Sequence, residues 1–223
     1  MDKKLFIQAI TKFTFGFIII ALLLFIPAGT LNYLNAWIFI AILFVPMFIV
    51  GIILMIKSPD LLRKRLNSKE KESEQEVLVL FAGIMFICGF IVSGLNYRFE
   101  WIILPKWIVF MATIIFLLAY VLYVEVLREN MYLSRIIEVQ ENQKVIDTGL
   151  YGIVRHPMYL STLLLFLSIP LVLGSLFSFL IFMVYPLIIV KRIKNEEQVL
   201  EQGLKGYLEY KKKVKYRLIP FIW

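Results

Sequence analysis

The chain has very few of the side chains from which proteins build metal sites and disulfides. Its 223 residues include one histidine, His156, and one cysteine, Cys88. One cysteine cannot form an intrachain disulfide, and the two residues together are too few for a usual zinc site. Charged residues are also scarce, at 18%, whereas hydrophobic residues reach 61%. Because soluble domains contain roughly 45–50% apolar residues, this composition excludes an ordinary soluble fold and predicts one integral membrane domain, 1–223.

Two common sequence signals are missing as well. No G-x-G-x-x-G motif follows a strand-like segment, so a Rossmann nucleotide site is excluded. No small-residue cleavage site follows the first apolar run, so we expect this run to remain as a membrane span.

The long runs without charge predict the helices. Three of them, at 13–33, 36–56 and 77–95, are long enough to cross the bilayer, and so is a fourth segment, 107–127, which has Glu125 near its end. A further uncharged run of 33 residues, 158–190, is too long for one comfortable helix, and Pro170 and Gly174 predict a break in it. We therefore expect an all-α polytopic protein with about six spans: four in 1–127 and a C-terminal hairpin in 128–223. If the hairpin does not cross, the count is four plus a re-entrant hairpin.

Positive charge predicts the orientation. Of the 24 lysines and arginines, 22 lie in the N-terminal arm, in 57–76, in 128–157 and after residue 190; only Arg98 and Lys106 lie on the other side. The positive-inside rule therefore places both termini in the cytoplasm. The net charge of +8 is explained by this orientation and by attraction to anionic lipid. Nucleic-acid binding is disfavoured because no recognition module accompanies the charge.

Two polar segments, one on each side of the hairpin, are the candidate functional regions. The first reads D-T-G-L-Y-G-I-V-R-H-P-M-Y, at 147–159, and the second begins with N-E-E at 195–197. A hairpin returns the chain to its starting surface, so we expect these segments to meet. Carboxylates beside lipid are costly without a partner or ligand.

Taken singly, these residues also have ordinary interpretations. Arg155 before a membrane entry is typical of an anchor, and Pro157 is typical of a helix start. Glu196 and Glu197 could form a solvated helix end or pair with Arg192 and Lys194.

Together the motifs resemble those of a known family. Gly149, Tyr151, Arg155, His156, Pro157 and Tyr159 form G-x-Y-x-x-x-R-H-P-x-Y; a hydrophobic hairpin, a Glu-Glu pair, a glycine (Gly203 or Gly206) before Tyr207 and Tyr210, and V-x-Y-R-x-I-P at 214–220 follow. This order is similar to that of the isoprenylcysteine carboxyl methyltransferase and phospholipid methyltransferase superfamily of integral membrane enzymes. The resemblance covers roughly residues 125 to 220.

The resemblance implies S-adenosylmethionine as methyl donor and a pocket for it at the cytoplasmic surface. The residues carried over as cofactor-contacting are Tyr151, Arg155, His156, Pro157, Tyr159, Glu196 and Glu197. Gly149 and Gly152 would allow close approach of the backbone. Carboxylates suit ribose hydroxyls, and a guanidinium or imidazole suits the amino-acid end of the donor.

The methyl acceptor is left open by the residues. A carboxylate acceptor needs only a cation to orient it, for which Arg217 or Arg128 could serve. An amine acceptor needs a base, for which Glu196, Glu197 or His156 could serve. We expect a lipophilic or lipid substrate that enters from the membrane, and neither a metal nor a nucleic-acid partner.

Two other functions are weighed against methyl transfer. One is a membrane sterol-type reductase that uses NADPH. The other is a non-catalytic transport or assembly protein, which is disfavoured because no span has a charge near its centre.

Overall fold

The computed structural model describes residues 2–67, 73–134 and 136–223, with the side chains of Ser73 and Glu74 left out. In these residues the regular structure is helical, in the order α1 (Lys3–Ala28), α2 (Leu34–Lys57), α3 (Pro59–Leu66), α4 (Ser73–Phe99), α5 (Lys106–Glu129), a 3₁₀ turn (Gly149–Gly152), α6 (Pro157–Val172), α7 (Leu176–Phe182), α8 (Tyr185–Gly203) and α9 (Tyr207–Lys213). The predicted all-α fold is confirmed.

Within the described residues, five segments are long and apolar enough to cross a membrane: α1, α2, α4, α5 and the α7–α8 segment Leu176–Gly203. Their apolar side chains point outward as well as inward, and many large ones are exposed, such as Ile18, Leu22 and Leu118. A helix that is apolar on all sides is stable in lipid. Lipid tails cannot hydrogen-bond backbone N–H and C=O groups, and a helix pairs these groups internally. The chain is therefore an integral membrane protein.

The two sides of the bundle are defined by contacts between helix ends. On one side, here called the basic side, Arg63 of α3 pairs with Asp2 at 2.6 Å, and Arg65 donates to Tyr123 near the end of α5. On the opposite side, the distal side, the Tyr33 hydroxyl donates to the carbonyls of Ser93 and Leu173. Helices α1, α4 and α6 therefore run from the basic to the distal side.

The predicted break in the last uncharged run is confirmed in position. Helix α6 ends at Val172, and Gly174 has a φ of +76°, a left-handed conformation that glycine adopts at no steric cost. Helix α6 is 16 residues long, or about 24 Å, and ends beside Tyr33 at the distal side. The number of complete crossings and the orientation of the termini stay predictions.

The sequence prediction missed one helix and two interruptions among the described residues. The short helix α3 lies in the charge-rich stretch 57–76 and packs Leu61 and Leu62 inward while Arg63, Lys64 and Arg65 occupy its last turn. The second helix of the last uncharged run is divided into α7, which ends at Phe182, and α8, which begins at Tyr185. The polar tail, which we expect from its apolar spacing to form an amphipathic helix over much of its length, is also divided: α8 ends at Gly203 and Gly206 has a φ of +87°.

Gly94 sets the closest approach of α1 and α4. A Cβ at Gly94 would lie 2.6 Å from the Leu24 carbonyl oxygen and 2.9 Å from Pro27 Cβ. Because backbone atoms cannot rotate away, we expect Gly94→Ala to lower stability by about 1–3 kcal/mol, measured as a lower thermal midpoint in detergent. Gly83→Ala, on the same helix with nothing within 4 Å, is the control; equal midpoints for the two variants would contradict this packing.

Candidate active site

The start of α6 is held by the C-terminal tail. Pro157 occupies the first turn of α6, where a missing N–H costs no helix hydrogen bond. The preceding backbone N–H groups are used elsewhere: that of Arg155 donates to the Tyr216 carbonyl at 2.9 Å, and that of His156 to the Arg217 carbonyl at 2.8 Å. The tail thus lies directly across the R-H-P motif.

Glu197 is the centre of a buried charged cluster. It is 2% exposed. Its Oε1 accepts from Arg155 Nε at 2.8 Å and lies 3.3 Å from His156 Nε2, and its Oε2 accepts from Arg217 Nε at 2.9 Å. Lys211 Nζ lies 3.9 Å from Oε2. Both carboxylate oxygens are therefore satisfied by the protein itself.

Arg155 also binds the tail backbone. Its Nη1 donates to the carbonyls of Val214 and Lys215 at 2.7 and 2.8 Å. One buried arginine thus connects the loop before α6, the end of α8 and the last segment of the chain. A buried charge is tolerated when it is paired and hydrogen-bonded in this way.

Glu196 belongs to a second, more open group. The Tyr159 hydroxyl donates to Glu196 Oε2 and accepts from Arg192 Nε at 3.1 Å. All three residues are only partly buried. The rings of His156 and Tyr159 are 5.7 Å apart, so the two groups are neighbours along the first turn of α6.

The glycine-containing turn before the R-H-P motif has a structural explanation. Gly149 has a φ of +57°, and a Cβ there would lie 2.0 Å from Glu129 Oε1. The same carboxylate accepts from the Leu150 N–H at 2.9 Å through Oε2. A Cβ at Gly152 would lie 3.2 Å from the Asp147 carbonyl oxygen. Gly149 is thus favoured by its left-handed backbone and by the Glu129 carboxylate beside it, and Gly152 by a tight approach to the Asp147 backbone.

Helix α9 packs over the cluster. Its Tyr207 and Tyr210 are buried with Leu204 and Val214, and Tyr210 donates to the Tyr151 carbonyl at 2.8 Å. The Tyr207 hydroxyl is buried without a hydrogen-bond partner among the described residues. Burial, and then the nearby carboxylates of Glu197 and Glu196, raise the pKa of Tyr207, so this phenol is a neutral donor at physiological pH.

The structure brings most of the predicted site residues together. Arg155, His156, Glu197 and Arg217 meet in the buried cluster, and Tyr159 and Glu196 meet beside it. Pro157 is buried at the start of α6, and Tyr151 contacts α9 through its carbonyl.

Arg128 is the predicted residue that lies outside these groups. Its side chain is 74% exposed and forms a bidentate pair with Glu125. Its role as an orienting cation stays a prediction.

Two residues of the site were named in the sequence interpretation without a role in the site. Arg192, which contacts Tyr159, precedes Glu196 by four residues, the spacing that pairs side chains on one helix face. Tyr207 was named only as part of the tail motif, and an interfacial aromatic residue was the ordinary interpretation of it. No local signal distinguishes a buried tyrosine from an interfacial one.

The fold and the cluster define a polytopic membrane protein with a buried polar site at one end of its helices. Residues 108–202 match the isoprenylcysteine carboxyl methyltransferase (ICMT) family, which confirms the resemblance noted from the motifs. The matched segment covers less than half of the chain. It includes α5 except its first two residues, α6, α7 and all of α8 except its last residue.

The chain is also similar to a reductase. It is 32% identical over 84 residues to the Delta(14)-sterol reductase TM7SF2 of Mus musculus, which covers 36% of this chain and 20% of the relative. The chain spans about a fifth of the length of this curated relative.

Proposed function

We propose that the protein transfers a methyl group from S-adenosylmethionine to a carboxylate or amine of a lipophilic substrate. The observation that carries the proposal is the Tyr159–Glu196–Arg192 group, which lies beside a buried charged cluster within the ICMT-family region. Its polar groups lie where α6 and α8 leave the apolar core, so a water-soluble donor and a lipid substrate could meet there.

The residues present fit the donor in part. The buried Tyr207 hydroxyl has no partner among the described residues, and such a group is expected to meet a ligand or water. Glu196 and Tyr159 offer a carboxylate and a phenol for hydroxyl or ammonium groups of the donor. Glu197 fits less well as a direct ligand, because Arg155, His156 and Arg217 already occupy its oxygens.

Bound S-adenosylmethionine would supply a methyl group on a positively charged sulfur, whose C–S bond breaks as a C–O or C–N bond forms. The protein's contribution is to position the reactants and exclude water. Arg217 is more exposed than Arg155, with 28% of its side chain accessible, and is the better candidate to orient an acceptor carboxylate. For an amine acceptor, Glu196 is the better candidate base because Glu197 is paired with cations.

The location of the acceptor follows from the same arrangement. We place its apolar part among the helices and its reacting group at the basic side. Under the positive-inside rule this side is the cytoplasmic one, with both termini on it.

A second function, NADPH-dependent reduction of a sterol-type substrate, is favoured by the similarity to the Delta(14)-sterol reductase of Mus musculus. It is the weaker proposal because the shared part is 20% of that protein.

Calorimetric titration of the purified protein in detergent separates the two proposals. We expect S-adenosylmethionine and S-adenosylhomocysteine to bind with micromolar dissociation constants, on the order of −8 kcal/mol, and NADPH to show no saturable binding. Methyl transfer is then measured with radiolabelled donor on lipid extracts. Saturable NADPH binding without S-adenosylhomocysteine binding would favour the reductase instead.

A further inference from the structure

Gln75 is a buried polar residue to which the family region assigns no role. It lies at the start of α4, outside residues 108–202, and is 1% exposed. Neither its Oε1 nor its Nε2 has a hydrogen-bond partner in the described part of the chain. Buried side-chain amides are nearly always hydrogen-bonded, so an amide with both atoms unpaired requires an explanation.

Three aromatic rings fix the relative positions of α4, α6 and α8. The ring centroids of Phe86 and Phe166 are 4.8 Å apart, and those of Phe166 and Tyr185 are also 4.8 Å apart. The three helices therefore share one level in the bundle at this point.

The rise per residue of a helix gives the distance from this level to residues at the basic side. Gln75 precedes Phe86 by 11 residues in α4, and Glu196 follows Tyr185 by 11 residues in α8. Both separations correspond to about three turns, or about 16 Å. By this geometry we place Gln75 at about the depth of Glu196. Eleven residues are close to three full turns, so Gln75 lies on the same face of its helix as Phe86, whose ring contacts Phe166 of α6.

The same geometry is tested by a contact in the structure. Tyr159 precedes Phe166 by seven residues in α6, about two turns and about 10 Å. This places Tyr159 about 6 Å, or about one helical turn, from the level of Glu196. The Tyr159 hydroxyl nevertheless donates to Glu196, since the two long side chains span this difference. The levels assigned from helix geometry therefore hold to about one turn for α6 and α8, and we use them at that precision for α4.

We propose that Gln75 is a ligand-binding residue of this site and that its amide binds the adenine edge of the methyl donor. The inference rests on the proposed function. It assigns the recognition of the base to a residue of α4.

The Gln75 side-chain amide matches the adenine ring in its hydrogen-bonding groups. Its carbonyl accepts and its amino group donates, side by side, so a ligand that satisfies both must present a donor beside an acceptor. Adenine does so with its 6-amino group and the adjacent ring nitrogen, as in the glutamine–adenine pairs of DNA recognition. An acceptor carboxylate offers no donor and would leave the Gln75 carbonyl unpaired. The charged amino-acid end of the donor is better matched by Arg192 and Glu196.

The test compares two ligands in calorimetry: S-adenosylhomocysteine and its analogue with hydrogen in place of the 6-amino group. The intact protein should bind S-adenosylhomocysteine roughly tenfold more tightly than the analogue, the usual effect of one lost hydrogen bond. Gln75→Met, which keeps the length of the side chain, should bind the two ligands within about twofold of each other. Gln75→Leu provides a second variant with the same expectation.

Asn96, at the other end of α4, provides a matched control. It is also a buried amide, but it donates to the Ile102 carbonyl at 3.0 Å and accepts from the Ile102 N–H at 3.3 Å. Asn96→Leu should lower the thermal midpoint and leave the tenfold preference unchanged, whereas Gln75→Met should not lower the midpoint. If Gln75→Met kept the tenfold preference for S-adenosylhomocysteine over the analogue, the role of Gln75 would be overturned and the proposed function would stand. Failure of the intact protein to bind either ligand would overturn the proposed function and this inference together.

Discussion

Glu197→Gln is expected to release the C-terminal tail from the start of α6. The substitution removes the carboxylate that Arg155, His156 and Arg217 share. Arg155 is 5% exposed and would keep its charge beside a neutral amide in place of this carboxylate. Breaking a buried pair by removal of one partner costs about 3–5 kcal/mol, so we expect a clearly lower thermal midpoint in detergent and methyl transfer reduced at least tenfold.

Limited trypsin digestion measures the release of the tail directly. Residues 211–215 contain four lysines, and α9 protects this region only while it is packed. Faster cleavage there, without faster cleavage in α1 to α5, would show that the tail has opened locally.

Glu201→Gln is the matched control, since Glu201 lies one turn further along α8. Its side chain is 31% exposed and pairs with Lys211. An ion pair of this kind contributes at most about 1 kcal/mol. If the two variants are cleaved at the same rate and have the same thermal midpoint, the Glu197 cluster does not hold the tail.

The contacts around Glu197 explain how a chain with so few charges can enclose a site. The tail is short and polar and packs four buried residues of its own around α9. Its attachment depends on Arg155, whose guanidinium binds two tail carbonyls, and on two backbone hydrogen bonds to the R-H-P motif. Opening and closing of the tail would then control access of a water-soluble ligand.

The spans and their break could be predicted from the sequence because they depend on local composition. A run without charge long enough to cross lipid is nearly always a helix. Pro170 and Gly174 indicated where the last run bends, and α6 ends between them at Val172. The observed helices α2, α4 and α5 extend past the predicted runs because polar side chains continue a helix into the interface. Helix α1 begins before its run but ends early, at Ala28, because Gly29 adopts a left-handed backbone with a φ of +68°.

The pairing inside the site could not be predicted, because it depends on contacts distant in sequence. His156 and Glu197 are 41 residues apart, and Arg155 and Val214 are 59 apart. The motif order indicated that these residues meet. It did not indicate that both carboxylate oxygens of Glu197 bind other protein side chains, whereas the adjacent Glu196 stays partly exposed. That difference arises from a rotation of about 100° between neighbouring residues on α8, which turns Glu197 toward the tail.

Tyr159→Phe is expected to weaken donor binding without a loss of stability. The change removes a hydroxyl that donates to Glu196 and accepts from Arg192. These two residues are four apart on α8 and can pair with each other, so the fold loses little. A bound ligand loses its hydrogen bonds to the phenol and to a carboxylate that the phenol positions. Hydrogen bonds to charged groups are worth about 1.5–3 kcal/mol. We therefore expect the dissociation constant of S-adenosylhomocysteine to rise by roughly 10- to 100-fold.

Tyr210→Phe should give the opposite pattern, which makes it the control for Tyr159→Phe. The Tyr210 hydroxyl is buried and donates to the Tyr151 carbonyl at 2.8 Å, so its removal leaves a carbonyl unsatisfied and costs about 1–3 kcal/mol of stability. Measured by melting and calorimetry on the same preparations, Tyr210→Phe should lower the midpoint, with any loss of affinity recovered at a temperature where the tail is folded. Unchanged affinity in Tyr159→Phe would remove the hydroxyl from the site, because the substitution leaves the ring, the helix and the Glu197 cluster in place.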